Sequence, residues 1–443
     1  VEVMRTHRPI WEKSACRSCG ACKRRCPASL FSEQAQERES LRGKVARLST
    51  LPRGLADEPP CLRACPLGQD VPAYILALAR GDAELAVEII LQTNPLPTVL
   101  GWICAHPCMQ ACVRGKLDQP VEINRLKLSA CMHGKRPAKI APSADDGRKV
   151  IVVGAGPAGL SSAFFLRRFG LRVVVLEASE QPGGLLRDCL PVFDLPPEAL
   201  DRDLDYLGQL GIEIECGRRL SSIAEIDALF EGAAAALVLA LGAGRGVPLE
   251  IDRGDLPGCT DGISFARAHS RAGGDPVDGP VVVAGGGRMA AACARMALRS
   301  GASGVKLLLP QKKRMPGAEP DGIGFAEEEG VELILGARPT AAVGGGRLEG
   351  VRCATENGES EYPARILVGA EQRGAAFDWL GKDFEVNARG FLKTDAKTGF
   401  ATRPGVFVAG EAQTGQRDAV RAMASGLKAA AAVRRFLGIG DGS

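Results

Sequence analysis

The chain has 443 residues, with 56 Lys+Arg against 52 Asp+Glu and a formal net charge of +4. At roughly 100–200 residues per domain that length predicts about three domains. So balanced a charge excludes nucleic acid or an anionic membrane surface as the main partner, and 5% aromatics supplies no platform for stacking single strands. No apolar run approaches the ~20 residues that span a bilayer. The first residues, VEVMRTHRPIWEKSAC, hold no signal-peptide core, so a cytoplasmic location is expected.

The cysteines are distributed unevenly. Of 15, nine fall within residues 16–112. In a reducing compartment, clustered thiols predict metal ligands rather than disulfides. CRSCGACKRRCP sets Cys16, Cys19, Cys22 and Cys26 at C-x2-C-x2-C-x3-C, with Pro27 next. This is the bacterial ferredoxin spacing, in which two-residue steps wrap the backbone around one inorganic cube. Cys61 and Cys65 follow in CLRACPLGQDVPAYI, then Cys104, Cys108 and Cys112 in ICAHPCMQACV. Two cubes need about eight thiolates, so nine predict two [4Fe–4S] clusters and one spare cysteine. His106, between two ligand candidates, is read as structural. The remaining six (Cys131, Cys189, Cys216, Cys259, Cys293 and Cys353) are single and read as small buried hydrophobes.

Residues 1–133 therefore form a helical iron–sulfur domain. PAYILALARGDAELAVEIILQT (72–93) has helical apolar spacing broken at Gly81. Residues 134–148 are a polar linker. From Lys149 the chain alternates apolar strands, glycine turns and helical runs, which predicts an α/β fold with parallel sheets covered on both faces. KVIVV, LRVVVLE, ALVLAL, PVVVAG, VKLLL and GVFVAG are the strand candidates.

Two strand–glycine–helix units predict two nucleotide sites. In the first, Gly154-x-Gly156-x-x-Gly159 follows a strand and opens a helix, and Glu177 stands 23 residues past Gly154. Gly154 allows the tight turn, Gly156 the approach of a pyrophosphate, Gly159 helix-on-strand packing, and the acid accepts from ribose hydroxyls. The late strand ending in Gly410-Glu411 is placed to join this unit and suits the longer reach of FAD. In the second unit Gly285-x-Gly287-x-x-Ala290 follows PVVVAG, but the next strand, VKLLLP, ends without an acid. Lys312, Lys313 and Arg314 follow, where a 2′-phosphate or plain solvent would meet them.

The order of these motifs resembles the small, flavin-carrying subunit of glutamate synthase and its relatives. These include the N-terminal half of dihydropyrimidine dehydrogenase and the large subunit of NADH-dependent ferredoxin:NADP oxidoreductase. The carriers run from about residue 60 to the end: the two later cysteine runs, GAGPAGLSSAFFLRRFG, PGGLLR, LALGA, GGGRMAAACARMALRSGA and GVFVAGE. The resemblance implies a helical iron–sulfur domain followed by two Rossmann-like domains. FAD binding takes 149–247 and 375–443, with NAD(P) binding at 248–374 inserted between them. It also implies that FAD takes hydride from the nicotinamide and passes single electrons to the clusters. Carried onto this chain, the flavin site comprises Gly154, Gly156, Pro157, Ala158, Gly159 and Glu177, with Gly183, Gly184, Leu185, Arg187, Ala240, Gly242, Gly410 and Glu411. The pyridine-nucleotide site comprises Gly285, Gly287, Arg288 and Ala290.

The chain departs from the family at several positions. The first C-x2-C near residue 60 is missing, and residues 16–26 are expected to supply the absent thiolates. A polar ligand of the family falls at about Lys127, which is no ordinary ligand. Arg288 replaces an Asn, Ala292 an Asp, and Leu309 and Pro310 a pair of arginines that read NADP. Asp188-Cys189 stands for Tyr-Gly after GGLLR. NAD(H) is therefore expected ahead of NADP(H). The expected function is an NAD(P)H-dependent flavin and iron–sulfur electron-transfer subunit, passing electrons to or from a catalytic or ferredoxin-type partner subunit of a larger complex. The alternative is a non-catalytic electron conduit or scaffold with a degenerate pyridine-nucleotide site. A disulfide reductase is excluded, because the flavin half has no C-x2-C or C-x4-C and Cys189 alone forms no dithiol. Cys19→Ser should lower iron content while leaving bound flavin unchanged; iron analysis and the visible spectrum check this, and full iron retention counts against the ferredoxin-like run.

Overall fold

The computed structural model describes residues 58–137, 146–242, 244, 246–270, 275–311, 322–356, 358–370, 377–388, 390–395, 400–401, 403–415 and 418–440. The ligand candidates Cys16, Cys19, Cys22 and Cys26 and the basic residues Lys312, Lys313 and Arg314 lie outside them.

The leading described segment is helical: α1 (Pro60–Ala64), α2 (Val71–Ala79), α3 (Ala83–Leu91), α4 (Pro97–Ile103), α5 (Pro107–Gln110) and α6 (Ile123–His133). The run from 72 to 93 folds as two helices, α2 and α3. Gly81 takes φ 76°, a left-handed turn that suits glycine, and Asp82 caps α3 by accepting from the Leu85 amide at 3.0 Å. Tyr74, Ile90, Leu91, Leu96 and Leu100 are the fully buried bulk of this layer.

The flavin-type unit runs through β1 (Lys149–Val153), α7 (Pro157–Arg168), β2 (Arg172–Leu176), α8 (Leu185–Asp188), α9 (Pro197–Gln209), β3 (Glu213–Glu215), α10 (Ile223–Glu231) and β4 (Ala234–Leu239). The second unit runs through β5 (Cys259–Asp261), α11 (Gly262–His269), β6 (Pro280–Ala284), α12 (Arg288–Arg299), β7 (Gly304–Leu309), α13 (Gly322–Glu328) and β8 (Glu332–Leu335). It continues through β9 (Arg338–Val343), β10 (Gly350–Thr355), β11 (Gly358–Pro363) and β12 (Ile366–Gly369). β13 (Val406–Val408), α14 (Glu411–Thr414) and α15 (Ala419–Phe436) follow.

Two five-stranded parallel sheets result, in the orders β13-β4-β1-β2-β3 and β5-β12-β6-β7-β8. Their central strands are Val-rich and covered on both faces, which is why they read as continuous apolar runs. β9, β10 and β11 form a separate antiparallel sheet that the sequence pattern did not reveal. β13 rejoins the first sheet, pairing with β4 rather than with β1.

Two buried charges join the units. Asp203 of α9 accepts from the Thr98 and Val99 amides at 3.3 and 2.9 Å, the first turn of α4, and pairs with Arg136. Arg136 also donates to Thr98 Oγ1 at 2.7 Å and the Arg202 carbonyl at 3.0 Å. Burial pushes the Asp203 carboxyl up, against the pull of Arg136 and the amides. Farther on, Arg295 of α12 pairs with Asp194 and with Glu329, each at 2.7 Å. Phe193 lies between Arg295 and Arg299, its centroid 4.4 and 4.2 Å from their guanidinium carbons. Asp203→Ala leaves Arg136 buried without its acid and should cost about 3–5 kcal/mol, the usual cost of breaking a buried pair. Urea unfolding checks it; an unchanged midpoint refutes the joint.

Candidate functional site

At the first loop, Gly154 takes φ 106°, and a Cβ there would lie 2.4 Å from the Ala240 carbonyl oxygen. A Cβ at Gly159 would lie 1.8 Å from the Gly154 oxygen. Both positions therefore require glycine for the protein's own packing. Gly156 differs: it is the N-cap of α7, in extended conformation, and a Cβ there would meet nothing within 4 Å. The space is open where a phosphate would approach the first amides of the helix. Gly183 and Gly184 arrive beside it, Gly183 donating to the Ala155 carbonyl at 2.9 Å and Gly184 lying against the Gly156 Cα. Leu185 opens α8 next to them. Gly410, φ 78°, presses its backbone on Ala158, and Pro157 is N1 of the helix. Ala240 forms the floor under Gly154, and Gly242 turns away at φ 64°. A dinucleotide fits this cradle.

Close helix packing brings Gly410 there. Gly426 of α15 would drive a Cβ to within 2.3 Å of the Ala158 oxygen, and Ser161 and Ser162 bond to the Met423 and Gly426 carbonyls of α15. Ser425 Oγ accepts from the Gly410 amide at 2.9 Å and donates to Gln413 at 3.1 Å. Glu411 then opens α14, facing the same end of the sheet.

Glu177 is buried, and its carboxylate already accepts from the Ala155 amide at 2.7 Å and the Ser179 amide at 2.8 Å. It ties the glycine loop to the end of β2, and each oxygen keeps a second lone pair for a ribose hydroxyl. Arg187 is engaged by its own loop: it donates to the Pro182 carbonyl at 2.7 Å and pairs with Asp201.

The second loop repeats the geometry. Gly287 is the extended N-cap of α12, and a Cβ there also meets nothing within 4 Å. Gly285 has φ 147°, and its Cβ would sit 3.3 Å from that of Ala290. Arg288 is exposed at N1, and Ala292 is buried. Leu309 points into the core. The residue over the loop is one that sequence reasoning missed. Gln311 lies within 3.5 Å of the Gly286 carbonyl, and its buried Oε1 has no hydrogen-bond partner among the described residues. Its position two residues past β7 was the available signal.

The five described ligand candidates come from α1 and its end (Cys61, Cys65), the two sides of the α4–α5 turn (Cys104, Cys108) and the residue before the next turn (Cys112). His106 makes that turn with φ 55°. All four of Cys61, Cys65, Cys104 and Cys108 act electrostatically on the buried Tyr74 hydroxyl, and Cys61 feels Cys112. Burial pushes the Cys61 thiol up to about 11 and Cys108 to about 12. Among the described residues no three such side chains converge on one ion. In a cube each thiolate takes a different iron, so its sulfurs stand wider apart than ligands of a single ion. The donor set, two buried thiols (Cys104, Cys108) and three half-buried ones (Cys61, Cys65, Cys112), fits a cluster whose binding displaces their protons. Of the six single cysteines, Cys131, Cys189, Cys293 and Cys353 are buried, but Cys259 is only half-buried and Cys216 is exposed. Cys216 lies past the end of β3, on the sheet's outer edge, so no core reaches it.

Residues 148–426 match the model of the pyridine nucleotide-disulphide oxidoreductase family, and residues 53–136 match that of dihydropyrimidine dehydrogenase domain II, 4Fe-4S cluster. The chain is 32% identical to the NADP(+)-dependent formate dehydrogenase subunit beta of Moorella thermoacetica, over 97% of this chain and 68% of that one. It is also 32% identical to the NADPH glutamate synthase small chain of Mycobacterium tuberculosis, over 86% of each. Mycobacterium tuberculosis FprA in complex with NADPH shares the fold, with a TM-score of 0.54 at 14% identity over 66% of this chain and 85% of that one. The chain belongs to the pyridine nucleotide-disulphide oxidoreductase family and carries a 4Fe-4S domain ahead of the flavin fold. It is an FAD- and iron–sulfur-type electron-transfer oxidoreductase, and these relatives are subunits of larger oxidoreductases. No helix among the described residues is long and apolar enough to cross a membrane.

Gly156→Val adds a side chain where the protein has room and the phosphate would sit. It should give folded, iron-containing protein without flavin, read from the visible spectrum and iron content. Retained flavin refutes the site.

Proposed function

We propose that this chain is the reductase subunit of a multi-subunit complex. NAD(H) binds at Gly285, Gly287, Arg288 and Ala290; FAD binds in the cradle around Gly156; two [4Fe–4S] clusters lie in the cysteine-rich domain. Electrons pass between them and a catalytic or ferredoxin-type partner subunit. The observation that carries this reading is the duplicated open glycine. Gly156 and Gly287 each cap a twelve-residue helix at the end of a separate parallel sheet. That duplication also favours a working pyridine-nucleotide site over the conduit alternative.

Nine cysteines are the expected ligands: Cys16, Cys19, Cys22, Cys26, Cys61, Cys65, Cys104, Cys108 and Cys112. They suffice for two clusters and suit a reducing, cytoplasmic compartment. The described four, Cys61, Cys65, Cys104 and Cys108, pack in one continuous core with β1 and α7 of the flavin unit, which supports electron passage between the two. Bound flavin supplies the exchange between hydride and single electrons. The residues hold it: the α7 amides face the pyrophosphate, Glu177 accepts from the ribose, and Gly183 and Gly184 keep side chains out of the way. Hydride transfer asks no acid, base or nucleophile of the chain.

Gln311 supports NAD(H) over NADP(H). A neutral amide offers a hydroxyl a partner and offers a 2′-phosphate no countercharge. The relatives named above carry NADP in their names, so the assignment is specific to this chain. Anaerobic mixing with each nucleotide tests both points. NADH should bleach the flavin band at least tenfold faster than NADPH. Faster bleaching by NADPH overturns the Gln311 reading, and bleaching by neither favours the conduit.

A further inference from the structure

Helix α6 buries one stripe: Ile123, Asn124, Lys127, Ala130 and Cys131. Asn124 is accommodated by donating to the Gly101 carbonyl at 2.6 Å, and the apolar members belong there. Lys127, at the centre of the stripe, is only 4% exposed. A buried ammonium is costly unless an opposite charge compensates it. Among the described residues Lys127 has no carboxylate partner, whereas the neighbouring buried Arg136 has Asp203.

Besides packing on α2, α3 and α4, the helix of Lys127 reaches the cysteines. α6 packs on α5, which carries Cys108, and α5 packs on α1, which carries Cys61 and leads to Cys65. The charge of Lys127 is felt at Cys65, Cys108 and Cys131, opposing at each the burial that pushes the thiol up. Asp203, the carboxylate that also acts on Cys131, is already engaged by Arg136, so among the described residues the ammonium has no acid of its own. A cube held by thiolates carries net negative charge and would balance it.

We propose that Lys127 is the fixed countercharge of the cluster held by Cys65 and Cys108, and that it sets that cluster's reduction potential. Reduction adds one electron to the cluster, and so one negative charge, beside a positive charge that does not move. The reduced form gains more from the ammonium than the oxidised form does, and the potential rises. The position therefore tunes the cluster without ligating it. The proposal rests on the reading that these thiols hold a cluster.

The test is a dithionite titration of the full chain with its iron and sulfide, monitored by EPR, in Lys127→Met, Lys127→Gln and Lys127→Arg. Both neutral variants should show the reduced-to-oxidised ratio of one cluster falling at least tenfold at a fixed potential, about 59 mV for one electron. The Arg variant should stay within about threefold of the parent. Unchanged ratios in Met and Gln variants that keep their iron overturn the proposal. Loss of iron from both neutral variants with retention in Lys127→Arg supports it, since only the charge is common to Lys and Arg. Loss from all three marks Lys127 as packing alone and overturns it. A separate control, Cys108→Ser, should lower iron content; if it does not, the cluster assignment fails rather than the role of Lys127.

Discussion

One buried carboxylate fixes the geometry that electron transfer needs. Asp203 belongs to the flavin unit, yet it caps the first turn of α4, the helix that leads directly into Cys104. Its charge would be prohibitive where it lies if Arg136 and two amides did not meet it. Replacing the whole set with apolar residues would restore stability but not the angle at which α4 leaves the flavin unit. Electron transfer between a cluster and a flavin depends on their separation, and a polar joint of fixed direction holds a separation better than an apolar one free to slide.

The same economy appears at the glycine loops. Gly154 and Gly159 serve the fold, because a side chain at either would strike the backbone, whereas Gly156 and Gly287 leave open space at a helix N-terminus. A G-x-G-x-x-G pattern conceals this division, and only the folded loop separates its members. The C-terminal helix supplies the rest of the cradle. Small residues along α7 and α15 let the two helices approach closely enough to bring Gly410 onto Ala158, some 250 residues away in sequence.

Much of this was legible in the sequence. The Val-rich strands, the glycine loops and Glu177 announced themselves by local pattern, since strand, turn and helix N-terminus are contiguous in the chain. What was not legible depends on contacts between distant segments. Nothing near Asp203 marks it as a cap for a helix 105 residues earlier. Arg187 matched a motif, but the fold ties it to Pro182 and Asp201. Gln311 carries no motif of its own: the strand ends with Leu309 buried in the core, and only the fold sets Gln311 against Gly286 of the loop. The antiparallel β9–β11 sheet was missed because its short, mixed strands carry no run of apolar residues.

The joint at the second nucleotide unit completes the argument. Phe193 and Asp194, from the flavin unit, are held by Arg295 and Arg299 of α12, the helix whose N-terminus faces the second loop. Both nucleotide cradles are thereby tied to one short segment. Glu329 anchors the arginines from behind, and bonding to Arg299, then to Arg295, holds its carboxyl down to about 2. A depressed carboxyl contributes fully above the ordinary carboxylate range and loses its contribution only as pH falls toward 2. The latch is therefore constant across physiological pH. Relative movement of the two nucleotide units would have to break the Asp194 contact together with the Val192–Ser270 and Ser270–Asp188 hydrogen bonds beside it, and titration of Glu329 does not release them.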